Sequence, residues 1–148
     1  MSAPATDLPL LLLAAAAEVT DAIHAGVTAA GFTDLRPAHG FAFVRMAPVG
    51  ATVGEIADHL GVTKQAASQL VEELVTKGYA VRNPHPRDAR ARLITLTDRG
   101  WAVTRAAEAA ANGFAQRWAS ILGPQAVGET RDRLARVVTP GRVRPALW

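Results

Sequence analysis

Residues 52–70, TVGEIADHLGVTKQAASQL, have the pattern of two short helices joined by a tight turn. Helices that cross at a steep angle need a small residue at the crossing, a glycine in the turn and apolar residues that face the crossing from both sides. This pattern predicts a helix-turn-helix. The positions that satisfy it are Ile56, Ala57, Leu60, Gly61, Val62, Ala67 and Leu70.

Capping residues mark the ends of these two helices. Thr52 opens a capping box with the glutamate three residues later, so that each side chain pairs with the other's backbone amide. Thr63 is placed to cap the second helix. Gly78 suits the left-handed position just past that helix, and Tyr79 is available for the apolar contact that accompanies it.

The periodicity changes to that of strands after Gly78. Residues 79–83 are expected to be extended, Pro84-His85-Pro86 excludes a helix, and Ile94 and Leu96 fall on one side of a second strand over residues 92–96. These features predict a β-hairpin with a long, arginine-bearing loop. A hairpin that follows a helix-turn-helix makes the central unit a winged helix.

Amphipathic helices flank this central unit. Apolar residues recur at three- and four-residue steps from about residue 8 to 30, and Pro37 opens a second helix. After the hairpin, Thr97 caps a long helix that Gly123-Pro124 ends, and a last helix follows over about 125–138. The chain is therefore predicted to be mainly α with a small β-hairpin wing. It forms one domain, residues 1–148, with a lobe over 37–97, long helices over 8–35 and 98–138, and a loose tail over 139–148.

Composition narrows the functional classes. Hydrophobic residues make up 49% of the 148 residues, as in a globular protein, and the absence of cysteine excludes disulfides, thiolate metal sites and cysteine-based redox sensing. No two of the four histidines are spaced as metal ligands, so no metal and no cofactor are expected. Walker A, Gly-x-Ser-x-Gly and strand-linked GxGxxG motifs are missing, so we expect no enzyme.

The apolar run over residues 8–17 is about half as long as the roughly 20 residues that a membrane span requires. Asp7 precedes this run, and no lysine or arginine does, whereas a secretory signal needs a positive leader. We therefore expect a soluble, cytoplasmic protein that does not enter a membrane.

Charge is unevenly distributed along the chain. Residues 1–35 hold four acids and no basic residue, whereas residues 129–148 hold five arginines against two acids. Such a division suits termini that pack on one another. Residues 63–99 carry seven basic and four acidic residues, which suits an anionic partner.

The predicted second helix of the helix-turn-helix presents short polar side chains near its N-terminal end. Gln pairs bidentately with adenine, Ser and Thr serve base or phosphate, and Lys adds charge. We expect this face to contact DNA, together with Thr52 and the arginines of the wing. Asp88 is expected to hold the guanidinium of one of these arginines, Arg90. The candidate residues are Thr52, Thr63, Lys64, Gln65, Ser68, Gln69, Arg82, Arg87, Asp88, Arg90 and Arg92.

The chain resembles the MarR-type winged-helix transcriptional regulators over roughly residues 8–138. The resemblance depends on five segments and is most discriminating where an Asp-x-Arg wing precedes a Leu-Thr helix start. It implies that Asp88 and Arg90 form the wing pair and that Thr63 to Gln69 make the major-groove contacts. The segments are TVGEIA at 52–57, LGVTKQ at 60–65, KGY at 77–79, and RDAR at 87–90 followed by LTDRG at 96–100.

The resemblance also implies a homodimer whose first and last helices interlock about a two-fold axis, which makes 8–35 and 98–138 the dimerisation helices. Two recognition helices would then read double-stranded DNA at a near-palindromic operator with half-sites about 34 Å apart. Many members of the family are repressors that small aromatic ligands release by binding between the dimerisation helices and the lobe. Candidate ligand contacts here are His39, Phe43, Trp101 and Arg105.

Two other functional classes remain open from the sequence. A winged helix also serves as a protein-interaction or dimerisation module that does not touch DNA. A small-molecule-binding or enzymatic dimer, such as the dimerisation half of a methyltransferase, would require a longer polypeptide. Repressor and activator are not distinguished by the residues.

Overall fold

The computed structural model describes residues 5–139 and confirms the predicted order of helices and strands. A 3-10 turn at Ala5–Asp7 leads into the first helix, and the two strands form the wing. The tail predicted from residue 139 lies, from residue 140 on, outside the described residues. The elements are α1 Leu8–Ala29, α2 Pro37–Met46, α3 Val53–Leu60, α4 Lys64–Thr76, β1 Ala80–Pro84, β2 Arg92–Leu96, α5 Asp98–Leu122 and α6 Pro124–Val137.

The helix-turn-helix forms as its spacing predicts. Thr52 and Glu55 make both bonds of the capping box, and Gly61 ends α3 with a φ of 66°. The Thr63 hydroxyl accepts from the Ala66 amide and caps α4. Val62 is half-buried against the core, and the other inward-facing side chains are buried, namely Ile56, Ala57, Leu60, Ala67 and Leu70.

The end of α4 directs the chain into the wing. Gly78 adopts a φ of 80°, and the amides of Gly78 and Tyr79 donate to the carbonyls of Val75 and Leu74, respectively, which is a Schellman motif. The Tyr79 ring is fully buried and meets the edges of two phenylalanines, Phe32 and Phe43. This aromatic contact joins α4, the wing and the α1–α2 connection.

The wing pairs antiparallel, with Ala80 opposite Leu96 and Pro84 opposite Arg92. A third segment, which the sequence analysis did not predict, joins it just before α3, where Ala51 and Ile94 exchange backbone bonds of 3.0 and 2.8 Å. Gly50 has a φ of 83°, and a Cβ there would lie 2.8 Å from the Ile94 carbonyl oxygen. Gly50 therefore permits a close approach that holds the wing against α3.

α1 and α5 pack side by side, and they approach each other closely at Gly26. A Cβ built on Gly26 would overlap the Cβ of Ala110, because it would lie well inside the contact distance of two non-bonded carbon atoms. At Gly40, in the interior of α2, a Cβ would meet no atom within 4 Å. Replacement by alanine should therefore have opposite effects on the free energy of unfolding at these two helical glycines.

We expect Gly26→Ala to lower the free energy of unfolding by about 1–3 kcal/mol, because overpacking outweighs the gain in helix propensity. Gly40→Ala is the matched control and should raise it by about 0.5–1 kcal/mol. Urea titrations of both variants and the parent chain measure these changes. Equal effects at the two positions would contradict the packing of α1 on α5.

Apolar side chains remain exposed on the first half of α1 and at the ends of α5 and α6. We refer to them as the terminal apolar surface. Clusters of this kind are uncommon on monomers and mark contact sites. The residues, exposed by between 37% and 78%, are Leu8, Leu10, Leu11, Leu12, Leu13, Ile121, Leu122, Leu134, Val137 and Val138.

The helical structure of α1 extends the apolar segment well beyond the 8–17 run considered in the sequence. By length and composition, Leu8–Ala29 is sufficient to cross a membrane, and only 6% of its most apolar window is buried. A single such helix near the N-terminus is weak evidence for a membrane span, because a core helix of a soluble protein passes the same test.

Candidate nucleic-acid interface

The N-terminal half of α4 presents an exposed polar face. Ala67 and Leu70 point into the core, which turns the residues between and before them outward. The first acidic residues of α4 are Glu72 and Glu73, about two turns from its start. We call this face the recognition surface, and all of its side chains are exposed: Thr63, Lys64, Gln65, Ser68 and Gln69.

The wing places a second cationic group beside this face. Arg87, Arg90 and Arg92 are exposed, and their guanidinium groups make no ion pair with any residue between 5 and 139. Arg82 differs, because its guanidinium lies 2.7 Å from the Glu72 carboxylate of α4. Arg82 therefore fixes the wing to α4, while the other three arginines remain available to an anion.

Asp88 holds the wing loop in a different way from the one the sequence suggested. Its carboxylate accepts from the backbone amide of Arg90 at 2.9 Å, and its carbonyl accepts from Ala91 at 3.1 Å. The expected pairing with the Arg90 guanidinium is wrong, because no ion pair joins the two side chains and the carboxylate instead bonds the Arg90 backbone in a short turn. Asp88 thus orders the loop backbone and leaves the Arg90 side chain free to extend.

Thr52 is half-buried at the start of α3, where its hydroxyl caps the helix. The Glu55 carboxylate accepts from the Thr52 amide at 2.8 Å, and this bond holds the pKa of Glu55 below its usual value. The primary role of Thr52 in the structure is therefore to begin α3. Only a hydroxyl proton remains for an outside acceptor.

A cavity of about 380 Å³ lies between α1, α2 and α5. Phe43, one of the predicted ligand contacts, forms part of its wall. The polar side chains on the wall are few and include His24, Arg36 and Glu108, none of which the sequence analysis identified. The apolar wall residues are Val19, Ile23, Val27, Leu35, Pro37, Phe41, Phe43, Val44, Ala47, Pro48, Val103, Ala107 and Ala111.

The other three predicted ligand residues do not line this cavity. On α5, Val103, Thr104 and Ala107 share the cavity face, and the helical period of 3.6 residues directs Trp101 and Arg105 to other faces. In the sequence, the signal for this cavity wall was the apolar stripe of α1, which includes Ile23 and Val27 and has His24 beside it.

His39 lies instead in a polar contact between α2 and α4. Its ring is fully buried, its Nδ1 accepts from the Arg36 amide at 2.8 Å, and its Nε2 lies 2.8 Å from a Glu73 carboxylate oxygen. Arg36 reaches the same oxygen with its guanidinium at 2.7 Å. His39 therefore takes the place of glutamate in a capping arrangement and donates its Nε2 proton to Glu73.

These contacts shift the pKa values of the groups involved. Burial holds the pKa of His39 below its usual value, although the hydrogen bond to Glu73 opposes this effect. The Arg36 guanidinium, and then His39, hold the pKa of Glu73 below its usual value. The hydrogen bond from Tyr79, 2.6 Å long, lowers the pKa of Asp34 in the same direction.

We expect the stability of the protein to fall as the pH is lowered from about 6.5, where the unfolded His39 begins to bind a proton that the folded state resists. The slope from one such proton is at most about 1.4 kcal/mol per pH unit. A second loss should follow below about pH 4, as carboxyls with lowered pKa values are protonated. Urea titrations between pH 7 and 3 measure both. His39→Gln should flatten only the first loss, and an unchanged profile would contradict the role of His39.

The structure brings no group of three potential metal ligands together anywhere in residues 5–139. The four histidines lie apart, on α1, α2, α3 and in the wing loop. Within these residues, the side chains of the polar clusters are joined by hydrogen bonds and ion pairs.

Comparison with known proteins supports the architecture. The family model described as "MarR family" matches residues 41–91, which run from α2 to the wing loop. A protein of Mycobacterium tuberculosis, Rv2011c, is 33% identical over 87 residues, which cover 59% of this chain. The match spans 61% of the length of that relative.

Solved structures match over nearly the whole chain. A MarR-family transcriptional regulator from Rhodococcus sp. RHA1 is 25% identical with a TM-score of 0.74, and covers 97% of this chain and 100% of its own. CouR from Rhodococcus jostii RHA1, solved with p-coumaroyl-CoA, has the same identity and coverage with a TM-score of 0.73. CouR bound to a 23-mer DNA duplex is 23% identical over 93% of this chain and 99% of its own, with a TM-score of 0.69.

The family match covers the helix-turn-helix and the wing loop, and the structural match extends the likeness to the long helices on either side. The capping box of α3, the Asp88 turn of the wing loop and the Thr97 cap of α5 all lie within the segments on which the resemblance in the sequence depends. The chain therefore resembles the MarR-family transcriptional regulators in sequence over residues 41–91 and in fold over nearly its whole length.

Proposed function

We propose that this chain is a homodimeric transcriptional regulator that binds double-stranded DNA in a sequence-specific manner and acts as a repressor released by a small aromatic ligand. The observation that carries the proposal is the recognition surface on α4, exposed and free of acids, together with three wing arginines that form no ion pair with any acid between residues 5 and 139. Surfaces of this composition match the edges of bases and the phosphates that flank them.

The two parts of the interface have different tasks in this proposal. Gln65, Ser68 and Gln69 read base edges in the major groove from the exposed face of α4, and Lys64 adds charge at the entry to the groove. Arg87, Arg90 and Arg92 contact phosphates or the narrow minor groove from the wing. Arg82 holds the wing on α4 through Glu72 and so sets the distance between them.

Dimerisation through the long helices is supported by the terminal apolar surface, which one chain leaves uncovered. The N-terminal segment is acidic and the C-terminal one basic, so two copies related by a two-fold axis can pair opposite charges as they cover apolar side chains. Two recognition surfaces would then face half-sites of a near-palindromic operator about 34 Å apart. CouR, solved on a 23-mer DNA duplex, supports duplex DNA as the partner.

The cavity between α1, α2 and α5 is the proposed site of the ligand. Its volume of about 380 Å³ and its apolar wall suit a compact aromatic group. Phe43 and Phe41 contribute flat apolar surface, and Thr20 and His24 are the side chains on the α1 part of the wall that can donate or accept a hydrogen bond. The structure of CouR with p-coumaroyl-CoA supports a ligand of this class.

Such a regulator works in the cytoplasm, on DNA and without an enzymatic step. In this proposal the apolar face of α1 is covered by the second copy rather than by lipid. The cost of exposing leucines to water therefore favours dimerisation. The solved MarR-family transcriptional regulator from Rhodococcus sp. RHA1, which this chain resembles in fold, supports this role.

The test is selection of genomic DNA fragments by the purified protein, followed by anisotropy titrations with the selected duplex. We expect a near-palindromic motif, and an affinity that falls with salt by about 0.9 log units per phosphate contact for each log unit of salt. The absence of any enriched motif would overturn the proposal and favour a protein-interaction module. A flat salt response would contradict the assigned wing contacts.

A further inference from the structure

The short segment 34–39 lies between the cavity and α4. On one side, Leu35, Arg36 and Pro37 form part of the cavity wall. Leu35 is buried, and Pro37 is the first residue of α2, so the backbone here cannot move without moving α2. Any occupant of this end of the cavity therefore contacts the segment directly.

On its other side, the same segment is bonded to the C-terminal half of α4. Arg36 and His39 both donate to one oxygen of Glu73, over 2.7 and 2.8 Å. One turn further along, Lys77 donates to the Asp34 carbonyl, and the Asp34 carboxylate accepts from Tyr79. Two polar connections thus tie one segment to α4 and to the residues that directly follow it.

Of the two connections, the one through Glu73 more strongly resists a displacement of the segment relative to α4. The His39 ring is fully buried and held at both nitrogens, whereas the Arg36 side chain is more than half exposed. A displacement of the segment that left Glu73 in place would leave a buried ring nitrogen without its hydrogen bond, which is unfavourable. A shift of the segment is therefore expected to carry α4 with it.

We propose that segment 34–39 transmits occupancy of the cavity to α4, and that Glu73 is the positioning residue that receives it. This inference rests on the proposed function, since it takes α4 as the DNA-reading helix and the cavity as the ligand site. An occupant that displaces Arg36 and Pro37 shifts Glu73, and the recognition surface moves because it belongs to the same rigid helix.

A cavity-filling variant replaces the unidentified ligand in the test. Gly40 lines the cavity, and a Cβ on it meets no atom within 4 Å. Helical side chains lean toward the N-terminus, so the ring of Gly40→Phe should extend over Arg36 and Pro37. Amide hydrogen exchange of residues 64–76, measured by mass spectrometry on the free protein, then reports the response of α4.

Glu73→Ala cuts the connection, and Glu72→Ala is the matched control. Both glutamates are neighbours on α4 and pair with an arginine at 2.7 Å, but Glu72 pairs with Arg82 of the wing. We expect Gly40→Phe to change exchange of α4 by about twofold or more in the parent chain and in Glu72→Ala, and to lose most of that effect in Glu73→Ala. Glu73→Gln should retain it, because a single amide oxygen can accept both bonds.

Arg36→Ala is the second variant and tests the connection from the other side, at an exposed residue whose loss the fold tolerates. If Gly40→Phe changes the exchange of α4 as much in Glu73→Ala and in Arg36→Ala as it does in the parent chain, the inference is overturned. It is also overturned if Glu72→Ala loses as much of this response as Glu73→Ala does. The exchange experiment uses no DNA. A failure to select DNA would therefore count against the proposed function, and loss of this coupling pattern would count against the inference alone.

Discussion

The double substitution Ile121→Asp with Val137→Asp should convert the protein to monomers and lower its affinity for a selected operator by about 10²–10⁴-fold. The loss is that large because a dimer binds its second half-site as an intramolecular event, and a monomer forfeits this advantage. Both side chains are 78% exposed at the ends of α5 and α6. A carboxylate at each would have to be buried without a partner in the dimer.

Val49→Asp is the control for this experiment. Val49 is also 78% exposed, but it lies on the turn between α2 and α3 and is not part of the terminal apolar surface. We expect Val49→Asp to remain dimeric by sedimentation equilibrium and to bind DNA as the parent does. A double variant that stays dimeric, or a monomer that binds the operator with undiminished affinity, would contradict dimerisation through the terminal apolar surface.

The fold of this chain was predictable because its local signals agree with one another. The helix starts at Thr52, Thr63 and Thr97 are set by hydroxyl caps, and the end of α4 by Gly78, so that each boundary depends on a few neighbouring residues. The bond between Ala51 and Ile94 was not predictable in the same way. It joins residues 43 positions apart, and its only local trace is a glycine.

The candidate sites also differ in whether local sequence patterns or long-range packing determine them. The recognition surface follows from helical periodicity alone, since buried Ala67 and Leu70 turn the residues around them outward. The side-chain partners do not follow from it. Pairing of Arg82 with Glu72 and of His39 with Glu73 depends on how the wing and α2 lie against α4, which no local pattern encodes. His39 was therefore assigned to a ligand site although it belongs to the contact between helices.

Arg90→Ala and Gln65→Ala should separate the two modes of DNA contact. We expect Arg90→Ala to weaken binding to every duplex by about tenfold or more, as expected for a charged hydrogen bond worth about 1.5–3 kcal/mol, and to lower the salt slope by about 0.9 per wing. Gln65→Ala should leave the salt slope unchanged and relax discrimination by about 1–3 kcal/mol at one base pair of each half-site. Anisotropy titrations over a salt series, with the operator and single-base variants, measure both quantities.

Arg82→Ala provides the matched arginine control in the wing. Its guanidinium is neutralised by Glu72 at 2.7 Å, so its loss removes no free charge from the DNA-facing side and should change the salt slope by much less than Arg90→Ala does. Because the pair also fixes the wing on α4, affinity should fall modestly for the operator. Equal salt slopes for Arg82→Ala and Arg90→Ala would mean that both arginines reach phosphates, and that Glu72 releases Arg82 when DNA binds.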